Sequence, residues 1–156
     1  MTDNTTENWP EAELDEVRRL HALAAGVLGA SITERVFDAP LPATWNLMWG
    51  DGQAFLEFQP DMRSIDRLEQ DGDRVSMLVR SNYGLRARLE GVVRPGWCWL
   101  QSRFLLIGMA AAENPTGGTR VALTGGIRVP GRAALVPIGV RRESRKSLDR
   151  LASKLT

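Results

Sequence analysis

The segment that decides the fold is residues 74–90, RVSMLVRSNYGLRARLE. Apolar and polar residues alternate on both sides of residues 81–84, with one interruption at Leu78. The alternating apolar residues are Val75, Met77 and Val79 before residues 81–84, and Leu85, Ala87 and Leu89 after them. A period of two is typical of a strand with one buried face, and Asn and Gly accept tight-turn geometry. The segment therefore predicts an antiparallel β-hairpin.

The same pattern continues over residues 62–129. Turn-forming residues recur at 70–73, 81–84, 94–96 and 115–118. The six strands predicted between and around these turns are 62–70, 74–81, 85–93, 97–104, 107–114 and 119–129. β-branched and aromatic residues predict a further strand at 31–38. Gly125 and Gly126, inside the last strand, predict a bulge or a sharp bend that curves the sheet.

Four helices are predicted around this sheet. Apolar residues at spacings of three and four predict a helix at 11–25, with Pro10 in its first turn. Two short helices, at 42–49 and 53–58, follow the first strand. The chain ends in a long helix, 137–155, with one apolar stripe. The residues of this stripe are Val140, Ser144, Leu148, Leu151 and Leu155. An apolar sheet face needs a cover, and this helix can supply it.

Composition and charge exclude several kinds of protein. The chain has 156 residues, which fits one domain, and its net charge of +1 gives no general attraction to nucleic acid. Cys98 and His21 are the only residues of their types, so neither a disulfide nor a Cys/His metal cluster can form within the chain. The longest apolar run is shorter than the roughly 20 residues needed to span a bilayer. The acidic N-terminus lacks a signal-peptide pattern, which predicts a cytoplasmic protein.

The charge is distributed unevenly along the chain. Residues 1–29 are acidic and residues 132–154 are basic. The two ends of the chain could attract each other within one fold or between two subunits. In the second case the protein would be a homodimer.

Two short motifs, in this order, resemble a known superfamily. Residues 37–40 (FDAP) are followed by Ala43-Thr44-Trp45, and residues 117–121 read GGTRV. This pattern resembles the START-related superfamily, also called SRPBCC, and within it the polyketide cyclase/dehydratase-like branch. The superfamily includes polyketide cyclases, birch-pollen-allergen-like proteins and plant hormone receptors. The resemblance covers residues 31–155.

The resemblance implies an α+β helix-grip fold. In this fold a curved antiparallel sheet of about seven strands wraps around a long C-terminal helix, with two short helices after the first strand. Residues 30–156 would form this domain. Residues 1–29, with their extra N-terminal helix, would be an extension that the superfamily does not explain.

The resemblance also implies an internal cavity between the sheet and the long helix. A hydrophobic ligand, polycyclic or polyketide-like, would bind there, with cyclisation or dehydration as the reaction if the protein is an enzyme. The alternatives are a non-catalytic carrier or sensor of a lipid-like ligand and a protein-interaction module. No cofactor or metal is implied.

Several residues are candidates for contact with such a ligand. Trp45 and Trp49 are four apart and share a helix face, and Trp97 and Trp99 are two apart and share a strand face. An aromatic ligand lining and ordinary core packing are both compatible with these spacings. The ligand-binding candidates are Trp45, Trp49, Met77, Trp99, Arg141 and Ser144.

The candidates for catalysis are fewer. Tyr83, in a predicted turn, could donate a proton or anchor an oxygen, or simply pack at the surface. Arg103 lies at a predicted strand end and could reach the cavity mouth. Glu34 and Asp66 would act as acid or base only if their carboxyls were buried in the cavity. Solvated surface positions are the alternative for both. Cys98 has no partner base and is not a candidate nucleophile.

Overall fold

The computed structural model describes residues 14–59, 62–82, 84–128, 135–136 and 140–156. The elements in chain order are α1 (Glu16–Ala25), β1 (Ser31–Phe37), α2 (Leu41–Met48), α3 (Gln53–Phe58), β2 (Met62–Asp71), β3 (Arg74–Ser81), β4 (Arg86–Arg94), β5 (Trp97–Gln101), β6 (Leu105–Glu113), β7 (Thr119–Arg128), β8 (Leu135–Val136) and α4 (Val140–Leu155).

Seven strands form one curved antiparallel sheet in the order β1-β7-β6-β5-β4-β3-β2, and the two-residue β8 pairs with the end of β7. Strands β2 to β7 are neighbours in sequence and in space. The first strand instead returns to the seventh, so that Ser31 lies opposite Gly125 and Phe37 opposite Thr119. With α2 and α3 after β1 and α4 at the end, this architecture confirms the predicted α+β helix-grip fold.

One turn, at Ser102, was not predicted from the sequence. A strand was expected over 97–104, but β5 ends at Gln101 and the chain turns at Ser102. The Ser102 N–H donates to the Leu105 carbonyl (2.7 Å), and its hydroxyl accepts from the N–H groups of Phe104 (3.2 Å) and Leu105 (3.0 Å). A serine side chain that bonds nearby backbone groups makes this turn without glycine or proline.

Of the two features predicted at Gly125 and Gly126, a bulge or a sharp bend, the bulge is wrong and the bend stays a prediction. Pairing runs without a shift through both residues, and the register irregularities lie in β2, between Met62 and Ser64 and between Ile65 and Arg67. A Cβ at Gly125 would stand 2.7 Å from the Leu106 carbonyl oxygen. The glycine therefore permits a close approach of two paired strands.

The inner face of the sheet is covered by α2, α3 and α4. The last helix packs on β1 and β7 and against both short helices. Its buried residues Leu148 and Leu151 join the main core, and Asp149 pairs with Arg35 of β1 at 2.8 Å. The predicted start at residue 137 lies outside the described residues, and the described helix begins at Val140.

The outer face carries the N-terminal helix. The helix begins at Glu16, because the Asp15 carboxylate caps it by accepting a hydrogen bond from the Arg18 N–H at 2.8 Å. The predicted start at residue 11 falls outside the described residues, and residues 14 and 15 are not helical. The helix buries three residues, Val17, Leu20 and Ala24. Beneath them lies a platform that consists of Trp97, Ala110, Ala112 and Ala122.

Ion pairs lie beside this apolar contact between α1 and the sheet, which we name the apolar seam. Asp15 pairs with Arg120 (2.7 Å) and Glu16 with Arg94 (3.3 Å). His21 lies 2.9 Å from Glu34 of β1. The two described acids at the start of α1 thus pair with arginines of the sheet, and not with the basic C-terminal helix as the charge distribution suggested.

The two motifs of the resemblance meet in space. The Thr119 hydroxyl, fully buried, donates to the Ala39 carbonyl at 2.7 Å. Gly118 lies against Phe37, since a Cβ there would stand 2.2 Å from the Phe37 carbonyl oxygen. The start of β7 is therefore joined to the end of β1, which sets where α2 begins.

Candidate functional site

The candidate site is the space between the inner face of the sheet and helices α2, α3 and α4. Trp45 and Trp49 of the α2 segment are both buried there, and Trp49 packs against Phe55 with ring centroids 5.2 Å apart. Met77 reaches the same core from β3. The structure thus brings together three of the predicted ligand-binding residues, as the helical spacing of the tryptophans and the alternation of β3 suggested.

Trp99 lies on the opposite side of the sheet. On β5 the fully buried Cys98 and Leu100 point inward, so Trp97 and Trp99 point outward. Their rings lie nearly parallel with centroids 6.4 Å apart, and the Arg94 guanidinium lies 5.6 Å from the Trp97 centroid. Sequence spacing correctly put the two tryptophans on one face. It could not show that this face is covered by α1, so Trp99 does not join Trp45 and Trp49.

Methionine is concentrated in the candidate site. The chain has five methionines, and Met48, Met77 and Met109 are fully buried in the inner core while Met62 packs against it. The side chain is unbranched and polarizable, and it adapts to irregular shapes. Sequence reasoning selected only Met77. Strand alternation could indicate the location of Met62 and Met109 but not that of Met48, which lies on α2.

Gln59 was missed by sequence reasoning. It follows α3, where it is partly buried, and its side-chain Nε2 donates to the Met109 sulfur at 3.6 Å. A thioether is a weak acceptor. The amide therefore keeps most of its hydrogen-bonding capacity for another partner. The only sequence signal was its position between a short apolar helix and Pro60.

The described part of α4 carries polar groups in the turns before its buried leucines, Leu148 and Leu151. Ser147 is buried and Ser144 is partly buried. Glu143 accepts a hydrogen bond from Lys146 through Oε1 (3.2 Å), while its Oε2 is buried and receives none from the part of the chain that the structure describes. Arg141 is helical, but its side chain lies outside the described residues.

The predicted catalytic residues do not converge on this space. Glu34 is on the outer face beside His21, and Asp66 accepts hydrogen bonds from Arg80 (3.3 Å) and Ser64 (3.0 Å) at the surface. Arg103 is exposed in the turn between β5 and β6. Tyr83 lies outside the described residues. Both carboxylates follow the alternative in which they are solvated and paired.

Burial raises the pKa of the Cys98 thiol well above its ordinary value, because desolvation penalises the thiolate. The side chain is therefore a neutral, apolar part of the inner core. Among the described residues, no group of three or more His, Cys, Asp or Glu side chains could hold a metal ion. No described helix is long and apolar enough to cross a lipid bilayer.

Described side chains fill much of the inner space. Met48, Phe55 and Met109 have essentially no accessible surface, and the same is true of Leu89 and Leu100 on neighbouring strands. The wall of an enclosed, water-sized cavity would count as accessible surface, so these five side chains border no such cavity. Two depressions lined wholly by described residues, of about 520 and 200 Å³, lie around strands β2, β3 and β4 and their turns. A ligand placed against these five side chains would have to displace some of them.

Comparison with known proteins supports the architecture. No family model and no curated protein sequence matches the chain. Solved structures do match. A Chromobacterium violaceum protein is 14% identical, with a TM-score of 0.56, and the match covers 81% of this chain and 96% of that one. A Mesorhizobium loti protein is also 14% identical, with a TM-score of 0.56 and coverage of 81% and 98%. Ara h 8.0201 is 12% identical, with a TM-score of 0.56 and coverage of 81% and 96%.

The chain has a helix-grip fold. At these identities the likeness concerns the fold alone, and it does not distinguish the polyketide cyclase branch from any other.

Proposed function

We propose that this protein binds an apolar small molecule between the inner face of its sheet and helices α2, α3 and α4. The observation that carries the proposal is the concentration of methionines there. Next to them lies the side-chain amide of Gln59, which donates to the Met109 sulfur, a weak acceptor. Binding sites for small molecules are mostly apolar with a few placed polar groups, and methionines allow a filled space to repack around a ligand.

The ligand would enter by exchange with protein side chains, and not by filling a vacant cavity. Met48, Met77 and Met109 would change rotamer, while Trp45 and Trp49 would offer flat surfaces to a ring system. The Gln59 amide would bond a carbonyl or hydroxyl of the ligand, which fixes its orientation. A polycyclic or acyl ligand with one oxygen-bearing end fits this combination.

Cyclisation or dehydration of a polyketide-like substrate is the more specific function that the resemblance suggests. It needs a proton donor or acceptor at the ligand. Glu34 and Asp66 lie at the surface with partners. Glu143, with its buried Oε2, is the candidate among the described carboxylates, and Tyr83 stays a candidate outside the described residues. Non-catalytic binding, as in a carrier or sensor, requires no such group. It is therefore the function that we propose ahead of catalysis. Turnover of a bound polyketide that is lost in Glu143→Gln, with binding retained, would favour the enzyme instead.

Tryptophan emission provides the test of the binding site. A panel of polycyclic and acyl compounds should contain at least one that shifts emission and raises the melting temperature. In the double variant Trp97→Phe/Trp99→Phe the emission change should persist. It should largely disappear in Trp45→Phe/Trp49→Phe, since those rings lie in the proposed site. Trp9 is retained in both variants.

The amide is tested in the same assay. Gln59→Leu should weaken the binding of a ligand with a carbonyl or hydroxyl by about fivefold, since one hydrogen bond is worth roughly 1 kcal/mol. Gln101→Leu, at an exposed position on the outer face, is the matched control. An emission change that followed Trp97 and Trp99 would refute the proposed location. Lack of any response to the panel would favour a protein-interaction role.

A further inference from the structure

The two ends of the sheet differ in character. One end, which we name the apolar end, is where β1, β2, β4 and β6 begin and where β3, β5 and β7 finish. The other end, which we name the acidic end, holds the turns between β2 and β3, β4 and β5, and β6 and β7. Because every strand pair is antiparallel, successive connections fall alternately at the two ends.

Large exposed hydrophobic side chains gather at the apolar end. Leu28 precedes β1 and is 67% exposed, and Leu85 precedes β4 and is 72% exposed. Phe104 lies in the turn before β6 and is 51% exposed, and Ile127 near the end of β7 is 54% exposed. Four separate chain segments thus each place an apolar side chain in water at one end. Such grouping marks an interaction surface more than chance exposure does.

The two ends of the sheet also differ in the sign of their exposed charges. Arg63, Arg86 and Arg103 are exposed at the apolar end, and none forms an ion pair with any residue that the structure describes. At the acidic end the exposed charged residues without a described ion-pair partner are carboxylates, with the exception of Arg74. The carboxylates are Asp38, Asp71, Asp73 and Glu113. The apolar end therefore carries both exposed apolar side chains and cations, and the opposite end would be repelled by an anionic surface.

We propose that the apolar end docks on an anionic lipid surface. Side chains from four separate segments, set among arginines, suit a fluid interface that receives apolar groups and attracts basic ones. The acidic end faces away from the membrane in this orientation. Docking is peripheral and does not depend on the proposed small-molecule ligand.

Co-sedimentation with vesicles tests the docking. The full chain should bind phosphatidylcholine vesicles that contain phosphatidylglycerol, more strongly than vesicles of phosphatidylcholine alone, and added salt should weaken this binding. The double variant Leu85→Ser/Phe104→Ser should reduce the association constant at least about tenfold, through lost apolar burial. Arg86→Glu/Arg103→Glu should reduce it by a similar factor. All these positions are exposed, and a thermal melt verifies the fold of each variant.

Matched controls lie elsewhere on the molecule. Val36→Thr changes a side chain that is also 51% exposed but lies on β1 towards the acidic end. Arg74→Glu reverses an exposed charge at that end. Both should bind vesicles within about twofold of the unmodified chain. Equal binding to neutral and anionic vesicles, or equal losses in test and control variants, would overturn the proposal. Retention by DNA or by an acidic protein in place of vesicles would also overturn it.

Discussion

Gly118 shows how a single residue can hold two distant segments together. Its backbone has φ +78, and an added Cβ would stand 2.2 Å from the Phe37 carbonyl oxygen. The preceding Gly117 also has positive φ (+106) but open space around it. Both glycines are needed for the turn conformation, whereas only Gly118 is needed for close contact with β1.

This difference predicts different costs for the same substitution. Gly117→Ala should lower the free energy of unfolding by about 1–2 kcal/mol, the cost of a left-handed backbone in an L-residue. Gly118→Ala should lower it by about 3 kcal/mol or more, because overpacking against backbone adds to that cost. Urea unfolding of the two variants measures the difference. Equal losses would show that the contact with Phe37 relaxes freely.

The buried thiol predicts a pH dependence of stability. The pKa of Cys98 is raised above its ordinary value of 9.0 because burial desolvates the thiolate. Above about pH 9 the unfolded chain therefore releases a proton that the folded chain keeps. The folded state then binds more protons, so the free energy of unfolding falls as pH rises, by up to about 1.4 kcal/mol per unit.

Cys98→Ala isolates this effect from the titration of other groups. Urea unfolding of the original chain and of the variant, at several pH values from about 8 to 10, should give two curves that converge as pH increases. Parallel curves would mean that the thiol meets solvent in the folded state. A thiol reagent should likewise label Cys98 only after unfolding.

At the scale of elements, α1 is held mainly by its apolar seam. Its ion pairs, Asp15–Arg120 and Glu16–Arg94, are partly exposed, and exposed pairs contribute little. Leu20 is fully buried, and a Cβ on Gly108 would stand only 3.1 Å from its Cδ1. The missing side chain at Gly108 therefore makes room for this leucine.

Two leucines of the same helix give a direct comparison. Leu20→Ala should lower the free energy of unfolding by about 2–5 kcal/mol, the range for burial lost together with a cavity. Leu23, which is 46% exposed, should cost less than about 1 kcal/mol when changed to alanine. Chemical denaturation followed by circular dichroism measures both. If Leu20→Ala has only the small effect of Leu23→Ala, α1 is a loosely attached appendage.

The sequence allowed much of this element list to be predicted, for local reasons. Alternation and glycine-containing turns predicted the meander of β2, β3 and β4. The turn at Ser102 was missed because its geometry comes from a side-chain hydrogen bond, which many serines do not make. The start of α1 was misplaced because Pro10 and Asp15 both suit a helix N-terminus.

At the scale of the whole molecule, what could not be predicted is long-range. Nothing local to β1 indicates that it pairs with β7, and nothing in α1 indicates which face it covers. The assignment of Trp99 to the ligand side failed for this reason, since both faces of β5 are buried and alternation alone does not distinguish them. Gln59 was missed because its contact with Met109 joins residues 50 apart.

The pairing of β1 with β7 also has a consequence for how the protein is made. Ser31 accepts a hydrogen bond from Thr124, a residue 93 positions later in the chain. At roughly 5–20 residues per second, a ribosome needs about 5–20 seconds to supply that partner. During this delay β1 and the apolar stripe of α1 are without their final neighbours. The nascent chain should therefore recruit chaperones until β7 emerges.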